Sequence, residues 1–374
     1  MPEPTFDQLL AWATTQMSVT RAACERLGDL SGVRLACSAH LSHNGVPALA
    51  GFMEHGAELF LTTCNPTTVR DEVVAHLVEK GAEAHAWKDM PGDEVRRGVE
   101  LALAWQPTHT CEMGADLTTA AHRSGATSIR AALEATGSGI DRLRRLELRY
   151  PVFNWDDLPI KEGLHNRHMV GLTTWQCFFD RTRLSLQGKR VAVVGYGLVG
   201  QGVAASARAF GGVVSVAEKD PTRRLQARYD GWHTAELEEL AASADVVVTA
   251  TGVPGVVSAA VIALLPPGCF LLNVGHVADE IELSALEERR QVLPFVEACR
   301  VGEHEVYLLA EGSMANLTAG HGDSLNAFDV TAAVMTAGVG FIAGLEEPWE
   351  PGVYPLPEDV WRGVAGSAGA SEGW

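Results

Sequence analysis

The sequence predicts an α/β protein with two domains, each of them a doubly wound parallel sheet. Short apolar runs that suit buried strands alternate with amphipathic runs that suit helices, a pattern typical of parallel sheets covered by helices on both faces. The alternation occurs in the first half of the chain and again from about Lys189, and prolines and aromatic residues interrupt it at 150–188. A chain of 374 residues is also longer than most single domains. We therefore place the join between the domains in that interrupted stretch.

The first half contains three predicted strands that alternate with helices. Short runs rich in apolar residues predict strands at 33–40, 57–64 and 83–87. Apolar residues at helical spacing predict helices at 45–56, 68–82 and 93–105. The connections between them are short, as βα units require.

The second half repeats the pattern. Apolar runs predict strands at 190–195, 213–218, 245–251 and 269–275. Helical spacing predicts helices at 199–210 and 234–244. The last residues, 361–374, are mostly small, and we expect them to be disordered.

Composition argues against several classes of protein. The formal net charge is −18, which disfavours broad binding to nucleic acid or to an anionic membrane. The first residues lack a basic segment followed by an apolar one, and no apolar run reaches about 18 residues, so we expect neither a signal peptide nor a membrane-spanning helix. The 7 cysteines form no CxxC pair and the 13 histidines form no HExxH motif. We therefore expect reduced thiols, a cytoplasmic location and no metal site.

A glycine-rich turn predicts a dinucleotide site in the second domain. Gly195, Gly197 and Gly200 form a GxGxxG motif between a predicted strand and a predicted helix. The first glycine permits the tight turn, the second lets the backbone approach a pyrophosphate, and the third lets helix and strand pack closely. Glu218 ends the next strand, where an acid binds the ribose diol and repels a 2′-phosphate. The pattern predicts a Rossmann domain and favours NAD over NADP, although Lys219 argues in the other direction.

Short motifs in both halves resemble one enzyme family. The second half contains VAVVGYGLVGQG, VTATGVPGVV, LLNVGHVADEIEL and LAEGSMANLTAGHG, and the first half contains SAHLSHNG, TTCNPTTVRDEV, AWKDMPGDE, GADLTTAAH and LPIKEGLHNRH. In order, from about residue 30 to about residue 345, they resemble the S-adenosylhomocysteine hydrolases. The resemblance implies a substrate-binding domain at 1–168 and 325–350, an NAD-binding domain at 169–324 and a C-terminal tail at 351–374.

The resemblance also implies a cycle in which the cofactor is not consumed. In that family NAD stays bound while an adenosine-type substrate is oxidised at its 3′-hydroxyl, which makes the C4′ proton acidic. The 5′ substituent then leaves by elimination, water adds, and the ketone is reduced. The family usually forms tetramers, so we expect a homo-oligomer, either a dimer or a tetramer. The expected binding partner is a small adenine nucleoside, with no nucleic acid and no membrane.

Candidate site residues follow from the resemblance, position by position. Candidate catalytic residues are His40, Cys64, Lys161, His165 and Asn166. Candidate cofactor-binding residues are Thr136, Ser138, Asn166, Gly195, Gly197, Leu198, Val199, Gly200, Glu218, Thr251, Gly252, Val274, Gly275, His276 and Asn316. Candidate substrate-binding residues are Ser42, Asn44, Met113, Ala135, His276, His321, Asp323 and Phe328. In the family pattern, His40 serves the 5′ side of the substrate, and Lys161 with Asn166 serves the 3′-hydroxyl.

Three departures from the family pattern affect carboxylates. Met113 stands where the family has an aspartate paired with the strand-end histidine, and Ala135 where it has a second glutamate that holds the ribose. His165 replaces an aspartate near the lysine. A general acid or base contributes about 10²–10⁴-fold in rate, so proton handling must differ from that of the family. Ala135 would also make room for a further sugar substituent, for example a hydroxymethyl at C1′.

Other departures lie around the nucleoside and the cofactor. Asn44 replaces a glutamate beside adenine, Ser42 a nearby threonine, and Asp323 a histidine that closes on the nucleoside. Leu198 and Gln201 replace an acid and a lysine in the glycine turn. The family's C-terminal lysine and tyrosine, which reach a neighbouring subunit's NAD, have no counterpart.

The retained glycine turn, His40 and Lys161 favour a related reaction on a different substrate. We expect the sugar of an adenine nucleoside to be oxidised, the 5′-hydroxyl to leave as water, and the ketone to be reduced again. The product would carry a 4′,5′-unsaturated sugar, which would fit the biosynthesis of a nucleoside antibiotic. An imidazole at His165 can transfer a proton near neutral pH, or it can be a neutral hydrogen-bonding replacement.

Other interpretations of the chain stay open. It can be a divergent hydrolase that releases adenosine and homocysteine, a non-catalytic NAD-binding homologue, or an epimerase of the sugar. At single positions, His40 can be a surface histidine, Cys64 a core residue, and His276 a structural partner of Glu280.

Overall fold

The computed structural model describes residues 4–347 and 349–370, which form two compact units. The first unit comprises the chain up to Lys161 together with the residues from Leu325 onward. The second unit comprises Glu162–Ser324. The first boundary therefore lies at 161/162 rather than at the expected 168/169, because the helix that begins at Lys161 belongs to the second unit from its second residue onward.

The first unit begins with helices and continues as alternating strands and helices. Its strands before the boundary are β1 (Arg34–Ser38), β2 (Glu58–Thr62), β3 (Glu83–Ala84), β4 (His109–Glu112), β5 (Ala131–Glu134) and β6 (Pro151–Asn154). Its helices are α1 (Phe6–Gln16), α2 (Ser18–Cys24), α3 (Val46–Glu54), α4 (Asp71–Glu79), α5 (Gly92–Ala104), α6 (Asp116–Ser124) and α7 (Gly137–Leu143). Short 3₁₀ turns lie at His43–Gly45 and Pro66–Thr68.

A π-helical segment, Lys161–Met169, leads into the second unit. The helices of this unit are α8 (Val170–Thr182), α9 (Leu198–Ala209), α10 (Pro221–Tyr229), α11 (Leu237–Ala241), α12 (Ala259–Ile262) and α13 (Ala315–Thr318). Its strands are β7 (Arg190–Val194), β8 (Val213–Ala217), β9 (His233–Thr234), β10 (Val246–Thr249), β11 (Phe270–Asn273), β12 (Glu287–Leu293), β13 (Val296–Val301) and β14 (His304–Leu309). Further 3₁₀ turns lie at Leu283–Ala285 and Ala310–Gly312.

The chain then returns to the first unit through α14 (Leu325–Ala343), β15 (Gly352–Pro355) and α15 (Glu358–Ala370). The expectations of a C-terminal tail from 351 and of disorder from 361 are therefore wrong as far as residue 370. Strand β15 pairs in parallel with β6, and Leu356 and Val364 are buried in the core of the unit. This burial orders a segment whose small residues predict disorder when it is considered alone. Residues 371–374 lie outside the described part of the chain.

Both sheets agree with the predicted α/β class. The first sheet has the strand order β15-β6-β5-β4-β1-β2-β3, and all its pairs are parallel. The second has the order β12-β13-β14-β11-β10-β7-β8-β9. It is parallel from β14 to β9, and β12, β13 and β14 pair antiparallel. That antiparallel edge is a feature that the sequence did not predict.

Helix α14 lies in the core of the first unit. Its Asp329 is fully buried and accepts hydrogen bonds from the backbone amides of Val19 and Thr20 at the start of α2, at 2.9 and 2.7 Å. Among the described residues, α14 is the helix long and apolar enough to cross a membrane, and 67% of its apolar window is buried inside the protein. This burial indicates that α14 is a core helix of the first unit.

Candidate active site and cofactor site

The glycine turn of the second unit has the geometry of a dinucleotide cradle. It lies between the end of β7 and the start of α9, and Gly195 has φ +95°. A Cβ at Gly200 would lie 2.1 Å from the carbonyl oxygen of Gly195, so helix and strand approach too closely for any side chain there. A Cβ at Gly197 would be no nearer than 3.8 Å to another group, the guanidinium of Arg223, so this face of the turn is open. Gly195 and Gly200 are thus required by the backbone, and Gly197 leaves room for a ligand.

A cavity of about 760 Å³ opens beside this turn, entirely within the second unit. Its lining includes the following predicted cofactor residues: Asn166, Gly195, Gly197, Leu198, Val199, Glu218 and Thr251. Glu218 stands at the end of β8, and its carboxylate accepts hydrogen bonds from the backbone amides of Tyr196 and Asp220 at 2.6 and 2.9 Å. These bonds fix the acid at the position that a ribose diol would occupy in a Rossmann domain.

Glu280 fixes the backbone of the 251–252 turn in the second unit. Its buried carboxylate accepts hydrogen bonds from the amide and hydroxyl of Thr251 and from the amide of Gly252, at 3.0, 2.6 and 2.6 Å. A Cβ at Gly275, which follows Val274 after β11, would lie 1.7 Å from this carboxylate. Glu280 therefore binds backbone and hydroxyl groups of the 251–252 turn, and these contacts give no support to a pairing with His276. The imidazole of His276 is exposed and lies beside Gly252.

Asn316 is a buried amide with an unused acceptor. The residue is 3% exposed, and its Oδ1 has no hydrogen-bond partner among the described residues. A buried unsatisfied polar atom is costly unless a ligand supplies the partner. Together with the glycine cradle and the open cavity, it makes the second unit suited to a dinucleotide that carries a carboxamide.

Two predicted cofactor residues, Thr136 and Ser138, belong to the first unit. The hydroxyl of Thr136 caps α7 by accepting from the amide of Gly139 at 3.0 Å, and it donates to the carboxylate of Glu134 at 2.6 Å. Ser138 donates to Thr136 at 3.4 Å. Both residues thus have a local structural role.

The candidate substrate residues of the first unit follow neighbouring parallel strands. Ala135, Met113, His40 and Cys64 come after β5, β4, β1 and β2, which are adjacent in the sheet in that order. The carboxyl ends of parallel strands meet at one edge, where ligands of open α/β sheets bind. The structure therefore brings these four residues to one edge, and Ser42 and Asn44 lie in the partly buried turn just after His40.

His40 is a partly buried residue with defined neighbours, not a solvated surface histidine. Its Nδ1 lies 2.8 Å from the hydroxyl oxygen of Thr68. The sulfur of Cys64 lies 3.8 Å from the same nitrogen. Burial, followed by the charge of Glu134, raises the pKa of Cys64 to about 12, so the group is a neutral thiol at neutral pH and a poor nucleophile.

Two buried carboxylates lie just behind this edge, paired across β4 and β5. Glu112 accepts from the amides of Leu117 and Thr118 and from the hydroxyl of Thr118. Glu134 accepts from backbone amides of the loop before α6. Burial raises the pKa of both groups, and the charge of Glu134 raises that of Glu112 further. Glu112 was not predicted from the sequence, and an acid at the end of a buried strand is the signal that could have found it.

Lys161 is held by groups of its own unit. Its Nζ donates to the carbonyl oxygen of Ala135 at 2.6 Å and forms a close ion pair with Asp156. The side chains of Lys161 and Asp156 are 13% and 14% exposed. The predicted Lys161 is thus a partly buried, paired group rather than a solvated lysine. Asp156 was missed, although its place just before the lysine in WDDLPIK is a signal that could have found it.

His165 and Asp323 form a buried pair in the second unit. Nε2 of His165 lies 3.3 Å from Oδ2 of Asp323, and the two side chains are 10% and 12% exposed. The sequence assigned these residues to different roles, and the structure brings them together. Of the remaining candidates, His321 is exposed in the loop after α13, and Phe328 lies on α14 in the first unit.

No group of three or more His, Cys, Asp or Glu side chains within 4–347 and 349–370 is placed to hold a metal ion. The arrangement instead supports hydride chemistry at a dinucleotide and proton transfer by buried acid–base pairs.

Comparisons with known proteins agree with this description. Residues 178–322 match the family described as S-adenosyl-L-homocysteine hydrolase, NAD binding domain. The chain is 32% identical over 378 residues to S-inosyl-L-homocysteine hydrolase of Methanopyrus kandleri, covering 97% of this chain and 89% of that protein. It is 33% identical to adenosylhomocysteinase of Aeropyrum pernix, covering 90% and 84%, and 32% identical to that of Archaeoglobus fulgidus, covering 95% and 91%. The similarity thus spans both units.

Proposed function

This chain belongs to the S-adenosyl-L-homocysteine hydrolase family, and we propose that it uses the family's bound NAD to dehydrate an adenine nucleoside. The overall reaction is redox-neutral. The sugar is oxidised at C3′, the C4′ proton and the 5′-hydroxyl leave together as water, and the ketone is reduced. The product carries a 4′,5′-unsaturated sugar, as a nucleoside antibiotic pathway would need.

One observation carries the proposal. His40 lies at the substrate edge of the first sheet beside the hydroxyl of Thr68, and the adjacent strand β4 is followed by Met113, which supplies no carboxylate. A carboxylate that accepts a hydrogen bond from a histidine strengthens that histidine as a base. Met113 cannot supply that carboxylate, so we propose that addition of water to the unsaturated ketone is slow. The reaction then ends at the alkene instead of continuing to hydrolysis.

NAD supplies the hydride acceptor for the sugar hydroxyl and returns the hydride at the end of the cycle. In the second unit, the glycine turn would hold the pyrophosphate and Glu218 the adenosine ribose. The unused acceptor of Asn316 suits the amide of the nicotinamide. These assignments follow the fit between the donor and acceptor groups of the site and those of a dinucleotide.

The remaining residues bind the nucleoside and move protons. Lys161, as an ammonium group, donates to the 3′-oxygen, and Asn166 lines the cofactor cavity of the second unit. Ala135 offers only a methyl group where the family has a glutamate, so the site accepts a bulkier sugar, for example one with a hydroxymethyl at C1′. The His165–Asp323 pair is a histidine oriented by a carboxylate, the arrangement that general acid–base catalysis uses.

The test is the mass of the product from a panel of adenine nucleosides. Purified enzyme is incubated with adenosine and with C1′-hydroxymethyl analogues, and the products are analysed by mass spectrometry. We expect a product lighter by one water molecule. Efficient hydrolysis of S-adenosylhomocysteine with no dehydrated nucleoside would overturn the proposal.

Hydrolysis is the second candidate, and the names of the relatives favour it. The similar proteins are an S-inosyl-L-homocysteine hydrolase and adenosylhomocysteinases. Both thioethers therefore belong in the panel, and the readout is formation of the hydrated nucleoside together with the thiol. The amide of Asn44 both donates and accepts hydrogen bonds, so it is compatible with a 6-amino or a 6-oxo purine.

A non-catalytic NAD-binding homologue is the remaining alternative. Exchange of the substrate's C4′ hydrogen with solvent needs the ketone, so exchange with adenosine would exclude it, and 3′-deoxyadenosine is the control that must not exchange. We further propose that the protein is a cytoplasmic homo-oligomer. A monomer in light scattering would refute the oligomer.

A further inference from the structure

We propose that Arg142 is a positioning residue that holds the loop at 113–116 in a strained backbone conformation, and that this conformation sets where Met113 lies at the substrate edge of the first sheet. The inference rests on the proposed function in one respect, because it takes Met113 as part of the nucleoside site. Arg142 acts through the loop and does not itself contact the nucleoside.

The loop between β4 and α6 contains a left-handed alanine. Gly114 has φ 101°, and Ala115, which follows it, has φ 59° and ψ 30°. Glycine adopts positive φ readily, whereas in alanine the Cβ then crowds the backbone and the conformation costs free energy. Ala115 is fully buried and is part of an apolar core cluster. Such strain persists only where surrounding contacts hold it, and it is found preferentially at functional sites.

The buried side of the loop is held by Glu134 and by β1. The carboxylate of Glu134 accepts hydrogen bonds from the amides of Gly114 and Ala115, at 2.9 and 2.8 Å. One residue earlier, the amide of Met113 donates to the carbonyl oxygen of Ser38 at 3.0 Å. The amides of three successive loop residues are thus bound to residues that are buried.

Arg142 holds the solvent side of the same loop. Its Nη1, on α7, donates to the carbonyl oxygen of Gly114 at 2.6 Å and to Oδ1 of Asp116 at 2.7 Å. These two acceptors flank Ala115 in the chain. The side chains of Arg142 and Asp116 are 45% and 42% exposed, and an exposed ion pair alone contributes little stability. The bond to the Gly114 carbonyl is therefore the contact that matters for the backbone.

Arg142 and Glu134 act on a single peptide unit. The carbonyl of Gly114 and the amide of Ala115 belong to the same planar peptide. Arg142 binds the carbonyl, and Glu134 binds the amide. Ala115 can leave the left-handed region only if this peptide plane rotates, which would turn both groups away from their partners. When Arg142 is removed, one of the two restraints is lost, and the strain at Ala115 favours that rotation.

Rotation of that peptide moves the backbone next to Met113. The side chain of Met113 is partly exposed at the substrate edge, and a binding site tolerates only small displacements of the side chains that line it. Loss of Arg142 should therefore weaken nucleoside binding without removing a group that contacts the nucleoside. A glycine at position 115 removes the strain, so the loop should then keep its conformation with Glu134 alone.

The test is a double-variant cycle of Arg142 and Ala115. The variants are Arg142→Ala, Arg142→Lys, Ala115→Gly and the double variant Arg142→Ala/Ala115→Gly. Arg144→Ala is the matched control, because Arg144 directly follows α7, is exposed, and pairs with Asp141 rather than with the loop. Each full-length protein, loaded with NAD, is titrated calorimetrically with 3′-deoxyadenosine. This probe has no 3′-hydroxyl to oxidise, so its dissociation constant is measured without turnover.

We expect Arg142→Ala to raise the dissociation constant about tenfold, which is about 1.4 kcal/mol and of the order of the cost of one left-handed alanine. Arg142→Lys should recover most of the affinity, because an ammonium group can still donate to both oxygens. Adding Ala115→Gly to Arg142→Ala should restore the wild-type affinity, and Arg144→Ala should bind as the wild type does.

Urea unfolding of the same proteins tests the strain without a ligand. Ala115→Gly removes a buried methyl group as well as the strain, so its effect on the free energy of unfolding is compared between two backgrounds that lose the same methyl group. In the wild-type background, Arg142 enforces the strain. Ala115→Gly should therefore favour stability more there than in Arg142→Ala.

A double variant that binds as weakly as Arg142→Ala would overturn the proposal, as would an Arg142→Ala variant that binds like Arg144→Ala. If Arg142→Ala does not fold, Ala115→Gly must restore folding, and failure to do so counts equally against the proposal. Equal effects of Ala115→Gly on unfolding in the two backgrounds would show that Arg142 does not hold the strain. Binding of neither 3′-deoxyadenosine nor adenosine by the wild-type protein would instead refute the proposed function.

Discussion

At the scale of single residues, two side-chain pairs each join an acid to a base. Lys161 is paired with Asp156, and His165 is paired with Asp323. In contrast, Met113 supplies no carboxylate at the sheet edge near His40, where the family pattern has one. Met113 is therefore the position at which the proposed handling of water differs from that of the family.

The His165–Asp323 pair should act as a unit in catalysis. His165→Asn should lower the rate of nucleoside turnover by about 10²-fold or more, the contribution of a general acid or base. Asp323→Asn should lower it less, and the double variant should be little worse than His165→Asn, because residues that act as a unit are not additive. Steady-state turnover rates of the two single variants and the double variant measure this coupling.

His168 is the matched control for that experiment, since it lies on the same helix and is exposed. His168→Asn should be close to wild type. Additive losses in the double variant would contradict a coupled pair.

Restoring a carboxylate near His40 should restore the addition of water to the unsaturated ketone. Met113 is partly exposed, so the protein should tolerate a charge there. Met113→Asp should raise the yield of adenosine from S-adenosylhomocysteine at least about tenfold, since a restored general base lies in the range of 10²–10⁴. Met113→Asn, which has the same shape without the charge, should not. Equal adenosine yields from the two variants would show that the carboxylate does not control the addition of water.

At the scale of elements, the ends of β4 and β5 are fixed by Glu112 and Glu134. Glu134 accepts hydrogen bonds from the backbone amides of Ala115 and Thr136, in the loops that contain Met113 and Ala135. Glu112 accepts from the amides of Leu117 and Thr118 in the first turn of α6. The two acids thus set the backbone of the substrate edge. The energetic cost is that two carboxyl groups are buried side by side, where ionisation of both is unfavourable.

That cost should appear as a pH-dependent stability. Burial, and then the charge of Glu134, raises the pKa of Glu112 from 4.5 to about 8. The folded state therefore holds a proton that the unfolded chain has released, so the free energy of unfolding should fall as pH rises through this window. The slope should be up to about 1.4 kcal/mol per pH unit for one proton, measured by urea unfolding.

Glu112→Gln should flatten that slope, because its side chain cannot titrate. Glu100→Gln removes an exposed glutamate on α5 and should leave the slope as in wild type. A wild-type slope in Glu112→Gln would rule out Glu112 as its source.

The glycine turn should not accept a single methyl group at Gly200. A Cβ there would lie 2.1 Å from the carbonyl oxygen of Gly195, so the turn must open. We expect Gly200→Ala to weaken NAD binding by at least about tenfold, or roughly 1.4 kcal/mol, measured as NAD retained after gel filtration. In Gly366→Ala on α15 the added Cβ meets nothing within 4 Å, and NAD should be retained as in wild type. Equal retention by both variants would contradict the role given to the turn.

At the scale of the whole molecule, the α/β class and the glycine turn could be predicted from the sequence because they depend on local patterns. The run that contains β1 is mostly apolar, and Gly195 and Gly200 are required by the backbone of one strand–turn–helix unit. The short sequence distance between the glycine turn and Glu218, at the end of the next strand, is likewise a local pattern. Such features need no knowledge of distant contacts.

The features that were missed depend on tertiary contacts. His165 and Asp323 are far apart in sequence, and their pairing follows from the fold of the second unit. The C-terminal helix α15 has a composition that predicts disorder, and burial of Val364 in the core makes it ordered. Asp156 is close to Lys161 in sequence, but only the turn after β6 brings its carboxylate to the ammonium group.

The most direct test of the central claim is the fate of a deuterium at C3′ of an adenine nucleoside that the enzyme turns over. The enzyme is loaded with NAD, freed of excess cofactor and given the labelled nucleoside, and the product mass is measured. We predict a product lighter by one water that retains the C3′ deuterium, because the hydride is borrowed and returned. A product of unchanged mass, or a dehydrated product that has lost the label, would contradict the account.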